Sequence, residues 1–227
     1  MRYLNEAIAD LGKNKANFAM ARRMFLRRME KDLILAVVEG LEADALDDIA
    51  KRLEAERGLA VGDVSTNIAQ DLSLSEKQLE PIENLIAARN ALIKGGEHSD
   101  IANAFEMPIS IIKNEAEQLS ETLDDIWPSL EGTAPLDDAA QLLIVSVSAL
   151  DYMRHELKAK MRLDAGEAAD QIAAAAGVSL ETVKGWASSL AAAKIDADAM
   201  SEEEKAGNIM TIAAVYRLPS ALITAVT

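Results

Sequence analysis

Carboxylates are the commonest chemically capable side chains of this 227-residue chain, and several stand side by side: Asp47-Asp48, Asp124-Asp125, Asp137-Asp138 and Glu202-Glu203-Glu204. Two carboxylates that share a proton can divide general acid and general base roles between them, provided both aim at one point. Neighbours on a helix leave the axis about 100° apart, so adjacency in sequence does not converge them. Placement where helices begin explains such pairs more simply, because negative charge is favoured at the positive end of the helix dipole. His155 has Asp151 one helical turn before it and Glu156 beside it. That spacing could orient an imidazole, but on a long helix it reads as a structural pair.

Other chemistries lack the residues they need. The chain has no cysteine and two histidines, His98 and His155. A thiolate zinc site, an iron–sulfur cluster, a disulfide framework and a cysteine nucleophile are excluded, and little is left for an imidazole-based metal centre. No Gly-x-Ser-x-Gly elbow, Gly-x-Gly-x-x-Gly turn, phosphate-binding Gly-Lys-Ser/Thr loop or metal-ligating helix motif occurs. Tyr152 and Trp186 read as core aromatics rather than a cofactor box. No catalytic, cofactor-binding or metal-ligating residue is assigned, and no cofactor is expected.

Charge is distributed unevenly. The whole chain carries −15, yet residues 1–31 hold eight basic groups against three acidic ones, a local balance of +5 that leaves −20 for the remainder. Within Phe18–Met29 the apolar Phe18, Ala21, Phe25 and Met29 fall near one helical face, with arginines in pairs beside it. Arg22, Arg23, Arg27, Arg28 and Lys31 form the candidate interaction surface. Such a helix suits an anionic membrane or an acidic protein face. The preferred reading packs it on the acidic body of its own chain. A sequence pI near 4.6 argues against phosphate-backbone affinity as the main task of the chain.

The elements that must position these residues are helical. Apolar side chains recur at helical spacing on a segment ending near Gly40 and on a second one over Leu46–Leu53 stopped by Gly58. Short pieces follow from Ser65 or Thr66, and a helix from Ser75 runs to the Gly95-Gly96 stop, with Gln78 completing a capping box. Ser99 or Asp100 opens the next helix, and Pro108 stands at the entry of another. Glu131-Gly-Thr-Ala-Pro135 is the clearest linker. Beyond it, Leu142 to about Arg162 predicts one long helix, then tracts over 167–176 and 180–193, and a last helix from the Ser201/Glu204 capping box to the Pro219 region. Ile144–Val147 and Ala221–Val226 are the only β-like runs. The fold expected is all-α, a multi-helix bundle of about ten helices, divided into an N-terminal subdomain over 1–130 with the basic first helix and a C-terminal subdomain over 136–227.

Two segments carry helix-turn-helix spacing. In Gln171–Trp186, Ala173, Gly177 and Val183 stand where two helices cross over a tight turn, Ser179 caps the second helix and Trp186 closes a small core. Ile101–Ile112 repeats the spacing with Ala102 and Ile112, but Glu106 replaces the glycine. A DNA-reading second helix needs base-contacting and phosphate-contacting groups. The first candidate offers Glu181, Thr182, Lys184, Ser188 and Ser189 and the second offers Lys113, Asn114, Glu115 and Glu117. One lysine against one or two glutamates is a poor footprint for duplex DNA, so a packing corner is the preferred reading.

Over residues 80–212 the succession Ile82-Glu-Asn-Leu-Ile-Ala87, Asp100-Ile-Ala102, Ile109-Ser-Ile-Ile112, Leu136-Asp-Asp-Ala-Ala-Gln141, Leu150-Asp-Tyr152 and Leu157 resembles the C-terminal helical region of the large bacterial NAD-specific glutamate dehydrogenases. Arg154, Lys158 and Arg162 correspond to basic residues on that family's long helix, and Ala199-Met-Ser-Glu202 to the start of its last one. The resemblance implies a helical tail; the family's nicotinamide and glutamate residues belong to upstream domains, so none is carried onto this chain. The expected function is therefore a non-catalytic accessory or assembly module whose partner is another protein or the rest of a larger subunit. The alternative is a small regulatory protein using the Ala173–Trp186 corner for nucleic acid or protein. No run approaches the roughly 20 apolar residues of a membrane span, no secretory signal is read at the N-terminus, and a cytoplasmic location is expected.

Overall fold

The computed structural model describes residues 17, 18 and 20–224, and every regular element among them is helical. Thirteen helices fall among the described residues. After α1 (20–26) come α2 (Lys31–Val37), α3 (Ala43–Val61), α4 (Ser65–Leu72), α5 (Glu76–Ile93), α6 (His98–Ala104) and α7 (Ile109–Glu131). The rest are α8 (Asp137–Leu143), α9 (Val147–Asp164), α10 (Ala169–Ala176), α11 (Leu180–Asp198), α12 (Glu202–Tyr216) and α13 (Ser220–Thr224). The multi-helix bundle expected from periodicity is the observed architecture. No helix is long and apolar enough to cross a membrane, among the described residues.

The chain divides into two compact units, Met1–Glu83 and Asn84–Thr227. In the first, Ala21, Met24, Ile34, Val38 and Leu46 form a small core from α1, the end of α2 and α3. Gly58 does not stop α3. The helix continues to Val61 and is closed by Gly62 at φ +94°. Glycine is needed at 58 for another reason: a Cβ there would stand 3.0 Å from Ile68 Cδ1 and 3.1 Å from the Asp63 carboxylate, so its absence lets α4 lie close.

The second unit is organised on α7, which packs against α6, α8, α9 and α12. Its main core combines Trp127 and Leu130 of α7, Leu150, Met153 and Leu157 of α9, Leu190 of α11, Ala213 of α12 and Ile223 of α13. Residues 131–135 join α7 to α8 within this unit, and Leu130 and Leu136 on either side of them belong to the one core. The β-like Ile144–Val147 is a corner between two helices, and 220–224 is the short helix α13; residues 225 and 226 lie outside the described residues.

The single long helix expected over Leu142–Arg162 is broken in two. Ile144 adopts φ +54°, and Ser146 caps the new helix by accepting a hydrogen bond from the Ala149 N–H at 3.1 Å. A serine whose side-chain oxygen accepts a first-turn N–H is a good cap, and the buried faces of Leu143, Ile144 and Val145 reward the turn. Asp137 and Asp138 do open α8, and Glu202 to Glu204 open α12. Asp124 and Asp125, by contrast, sit in the middle of α7.

Candidate functional site

The corner first recognised at Gly177 is a recurrent device. Ser73, Glu106, Ile144, Gly177 and Arg217 all have positive φ, between +50° and +67°, and each stands within two residues of a helix C-terminus. Around them one register repeats: an apolar-alanine dipeptide four to five residues before (Ile68-Ala69, Ile101-Ala102, Ala139-Ala140, Ile172-Ala173, Ile212-Ala213), an apolar residue directly after, then serine or proline, and an apolar residue four further (Leu79, Ile112, Leu150, Val183, Ile223). In every case the N–H of the residue after the corner donates to the alanine carbonyl five back: Leu74 to Ala69, Met107 to Ala102, Val145 to Ala140, Val178 to Ala173 and Leu218 to Ala213, at 2.9–3.2 Å. This is the Schellman closure of a helix C-terminus. Arg28, at φ +59°, closes α1 in the same way with Met29 donating to Met24.

The alanine has a packing role as well. Its small side chain lets the next helix cross close to the first, and Ala102 with Ile112, and Ala173 with Val183, share small cores. At the 177 corner that core is completed by Trp186, 6% exposed, edge-on to Tyr152 with ring centroids 5.7 Å apart. The Ser179 hydroxyl accepts from the Thr182 N–H at 3.1 Å. Thus the expected corner, cap and aromatic closure are all present, while Glu181, Lys184, Ser188 and Ser189 are exposed on α11. The Glu106 corner folds likewise despite lacking glycine.

Three cations on long helices brace these corners from inside. A helix C-terminus leaves carbonyls unsatisfied and carries partial negative charge, so a buried donor there is favourable. In unit 1, Arg57 of α3 donates to the Phe25 carbonyl at 3.3 Å. In unit 2, Arg89 of α5 donates to the Leu143 carbonyl at 3.0 Å and grips Glu115 of α7 at 2.6 Å. Lys160 of α9 donates to the Arg217 carbonyl at 2.6 Å and pairs with Glu156 at 2.8 Å. Burial holds the Lys160 amine below the ordinary lysine range, more than the adjacent Glu156 restores it. Burial, reinforced by the charges of Arg28 and Arg22, likewise lowers Arg57 from the usual guanidinium value.

The basic surface residues are distributed as follows. Arg22 is ion-paired with Glu56, which is 1% exposed, and Lys31 with Asp47. Arg23, Arg27 and Arg28 have exposed side chains. Phe18 is exposed, whereas Ala21 is buried and Phe25 and Met29 are half-buried against the unit 1 core. Arg2, Lys13 and Lys15, counted in the same basic block, lie outside the described residues. His155 stands 3.5 Å from Asp151 with both side chains about half exposed, a surface pair on α9. Among the described residues, no group of three or more His, Cys, Asp or Glu side chains could hold a metal ion.

A cleft of about 580 Å³ opens in the second unit. Its apolar wall comprises Leu92, Leu119, Leu123 and Met153, with the exposed Ile109 and Val215 at 46% and 59%. Its polar lining is Glu97, His98, Ser99, Ser120 and Arg217. The Gly95 position, at φ +83°, makes room for the guanidinium: a Cβ there would come within 3.2 Å of Arg217 Nη1. Arg217 is positioned by its corner backbone and by Glu156, which accepts from Nη2 at 2.6 Å. The sequence marks Gly95 only as a helix stop and gives Arg217 no role. The repeated Ile-Ala…Leu-Pro register around 212–219 is the signal that marks Arg217 as a corner residue, but its neighbours across the cleft are set by packing alone.

No family model, curated protein or solved structure matches this chain.

Proposed function

We propose that this chain is a non-catalytic helical accessory module that works by packing against another protein or against the rest of a larger subunit, as the tail of a large NAD-specific glutamate dehydrogenase does in the resemblance stated above. The observation that carries this reading is the employment of the buried and half-buried ionisable side chains. Arg57, Arg89 and Lys160 hold helix corners, Glu56, Glu115 and Glu156 pair with cations, and Lys205 pairs with Glu202. Active sites keep such groups available to substrate at a cleft; here each is engaged by a partner within the fold.

The test has two arms. The isolated chain, given NAD and glutamate, is expected to produce no NADH. Mixed with a catalytic region of such a dehydrogenase from which the tail has been removed, it is expected to comigrate in size-exclusion chromatography. Glutamate oxidation by the isolated chain overturns the non-catalytic reading, and failure to comigrate overturns the dehydrogenase partner. The alternative reading, nucleic acid at the Ala173–Trp186 corner, draws on the capped α11 with Lys184, Ser188 and Ser189 exposed. Recurrence of that corner at four other places in the chain favours an architectural use. Binding to random duplex DNA at low salt that weakens steeply with added salt and is lost in Lys184→Glu favours the alternative.

A further inference from the structure

We propose that the cleft between α5, α6, α7 and α12 binds a small amphipathic monocarboxylate, its head on Arg217 and its hydrocarbon along Leu92, Leu119, Leu123, Met153, Ile109 and Val215. The cleft volume, about 580 Å³, falls in the few-hundred to one-thousand Å³ range of small-molecule sites, which are mostly apolar with a few convergent polar groups.

Charge selects the head group. Behind the wall, Glu156 is shared between two cations: it accepts from Lys160 at 2.8 Å and from Arg217 Nη2 at 2.6 Å. Lys160 is fully buried and Glu156 nearly so, at 0% and 5% exposure. One carboxylate cannot neutralise both, so the trio carries an excess positive charge at low dielectric, where such charge is costly and attracts an anion. The unspent donors belong to Arg217. Its Nε is buried without a hydrogen-bond partner, and Nη1, against Gly95 in the lining, has none among the described residues either. A guanidinium with free N–H groups is a strong carboxylate receptor. Ser99 and Ser120 add hydroxyls in the same lining.

Glu97 restricts the choice further. This exposed carboxylate also lines the cleft. It is solvated, and water and salt screen it, but it opposes a second negative charge on a ligand. A monoanion is therefore preferred to a phosphate or a dicarboxylate. The apolar wall, with two large aliphatic side chains left exposed at its rim, calls for several methylenes on the ligand.

The experiment uses the full chain and three eight-carbon probes: octanoate, whose apolar tail is one carbon shorter than the others', octylammonium and octan-1-ol. Titration calorimetry is expected to show saturable octanoate binding, with the amine and the alcohol at least about tenfold weaker. Arg217→Gln, which keeps the corner backbone and its Lys160 bond, is expected to weaken octanoate about tenfold to a hundredfold, the range of a charge-assisted hydrogen bond. Ala116→Phe fills the lining from α7 without touching the charge trio and is expected to abolish binding of all three probes. If Arg217→Gln fails the fluorescence check for folding, the probe ranking on the natural chain and Ala116→Phe decide the matter. Absence of saturable octanoate binding, equal binding of octan-1-ol or octylammonium, or octanoate binding undiminished by Ala116→Phe overturns the proposal. None of these results depends on a protein partner, so the accessory-module reading stands or falls separately.

Discussion

Replacing Arg89 by methionine separates a corner brace from a removable ion pair. Arg89 and Glu115 are 3% and 8% exposed, and one Glu115 oxygen accepts from Arg89 Nε at 2.6 Å and also from Nη2. The remaining fork nitrogen, Nη1, donates to the Leu143 carbonyl at 3.0 Å, one residue before the left-handed Ile144. Arg89→Met strands a buried carboxylate and an unsatisfied corner carbonyl, so it is expected to cost about 3–5 kcal/mol, the range for breaking a buried pair from one side. Glu115→Leu leaves a buried guanidinium without its carboxylate and is expected to cost a similar amount. In the double variant Arg89→Met/Glu115→Leu both charges of the pair are removed together, and the loss of the Leu143 hydrogen bond costs about 1–1.5 kcal/mol.

The assay is urea unfolding followed by tryptophan fluorescence. The chain's two tryptophans, Trp127 and Trp186, both lie in the second unit, so the signal reports the unit that contains the pair. The coupling between the two substitutions should be at least about 2 kcal/mol, well above the few tenths seen for independent sites. Additive losses, or an Arg89→Met variant within about 0.5 kcal/mol of the natural chain, would falsify the claim that this pair is a desolvated, mutually dependent brace.

Three further substitutions test other parts of the architecture. Glu106→Gly and Gly177→Ala should have opposite signs: the first relieves an exposed non-glycine residue at φ +51° and is expected to gain about 0.5–1 kcal/mol, whereas the second places a Cβ at φ +67°, in open space but in a strained conformation, and is expected to lose about 1 kcal/mol, both read from urea midpoints. Glu204 is held below the usual carboxylate range by its hydrogen bond from the Ser201 backbone N–H and then by that from the Ser201 hydroxyl. Its stabilisation is therefore present above the ordinary glutamate value and lost as pH falls through the lowered folded value; the thermal-midpoint gap between the natural chain and Glu204→Gln should close on acidification, and a gap independent of pH would contradict it. Lys160 runs the other way. Because its folded affinity for protons is lowered by burial, the unfolded chain binds more protons between that lowered value and about pH 10.4. Stability of the natural chain relative to Lys160→Met should rise with pH across that window, measured by urea midpoints; a flat or falling difference would show that the amine is not desolvated.

Helix type and order were legible in the sequence because they depend on local spacing. The Ser201/Glu204 box forms with both halves in place, while at Ser75 the Gln78 side chain accepts from the Ser75 N–H and the reciprocal contact is absent. Pro108 and the Gly95 stop also stand where they were read. The corners were only partly legible. Glycine advertises a left-handed residue, so the 177 corner is plain, and the 106 corner is visible through its matching register. At Ser73, Ile144 and Arg217 a residue that ordinarily avoids positive φ occupies the corner, at a cost of about 1–2 kcal/mol, and the residue type does not reveal it; only the repeated register around it does. What offsets that cost is tertiary. Ile144 is wholly buried, and the carbonyls of Leu143 and Arg217 are satisfied by Arg89, 54 residues away, and Lys160, 57 residues away.

The division of labour follows from the range of the forces involved. Spacing, caps and composition by themselves determined an all-helical chain with no thiolate chemistry, a basic first segment and an acidic remainder. Only the tertiary structure decided which cations would be spent on corners, that Glu156 would serve both Lys160 and Arg217, and that Arg217, its Nε left unpaired, would line a largely apolar cleft. Burial raises the energy of a charge and obliges it to find a partner, and which partner is within reach is a property of the packed chain.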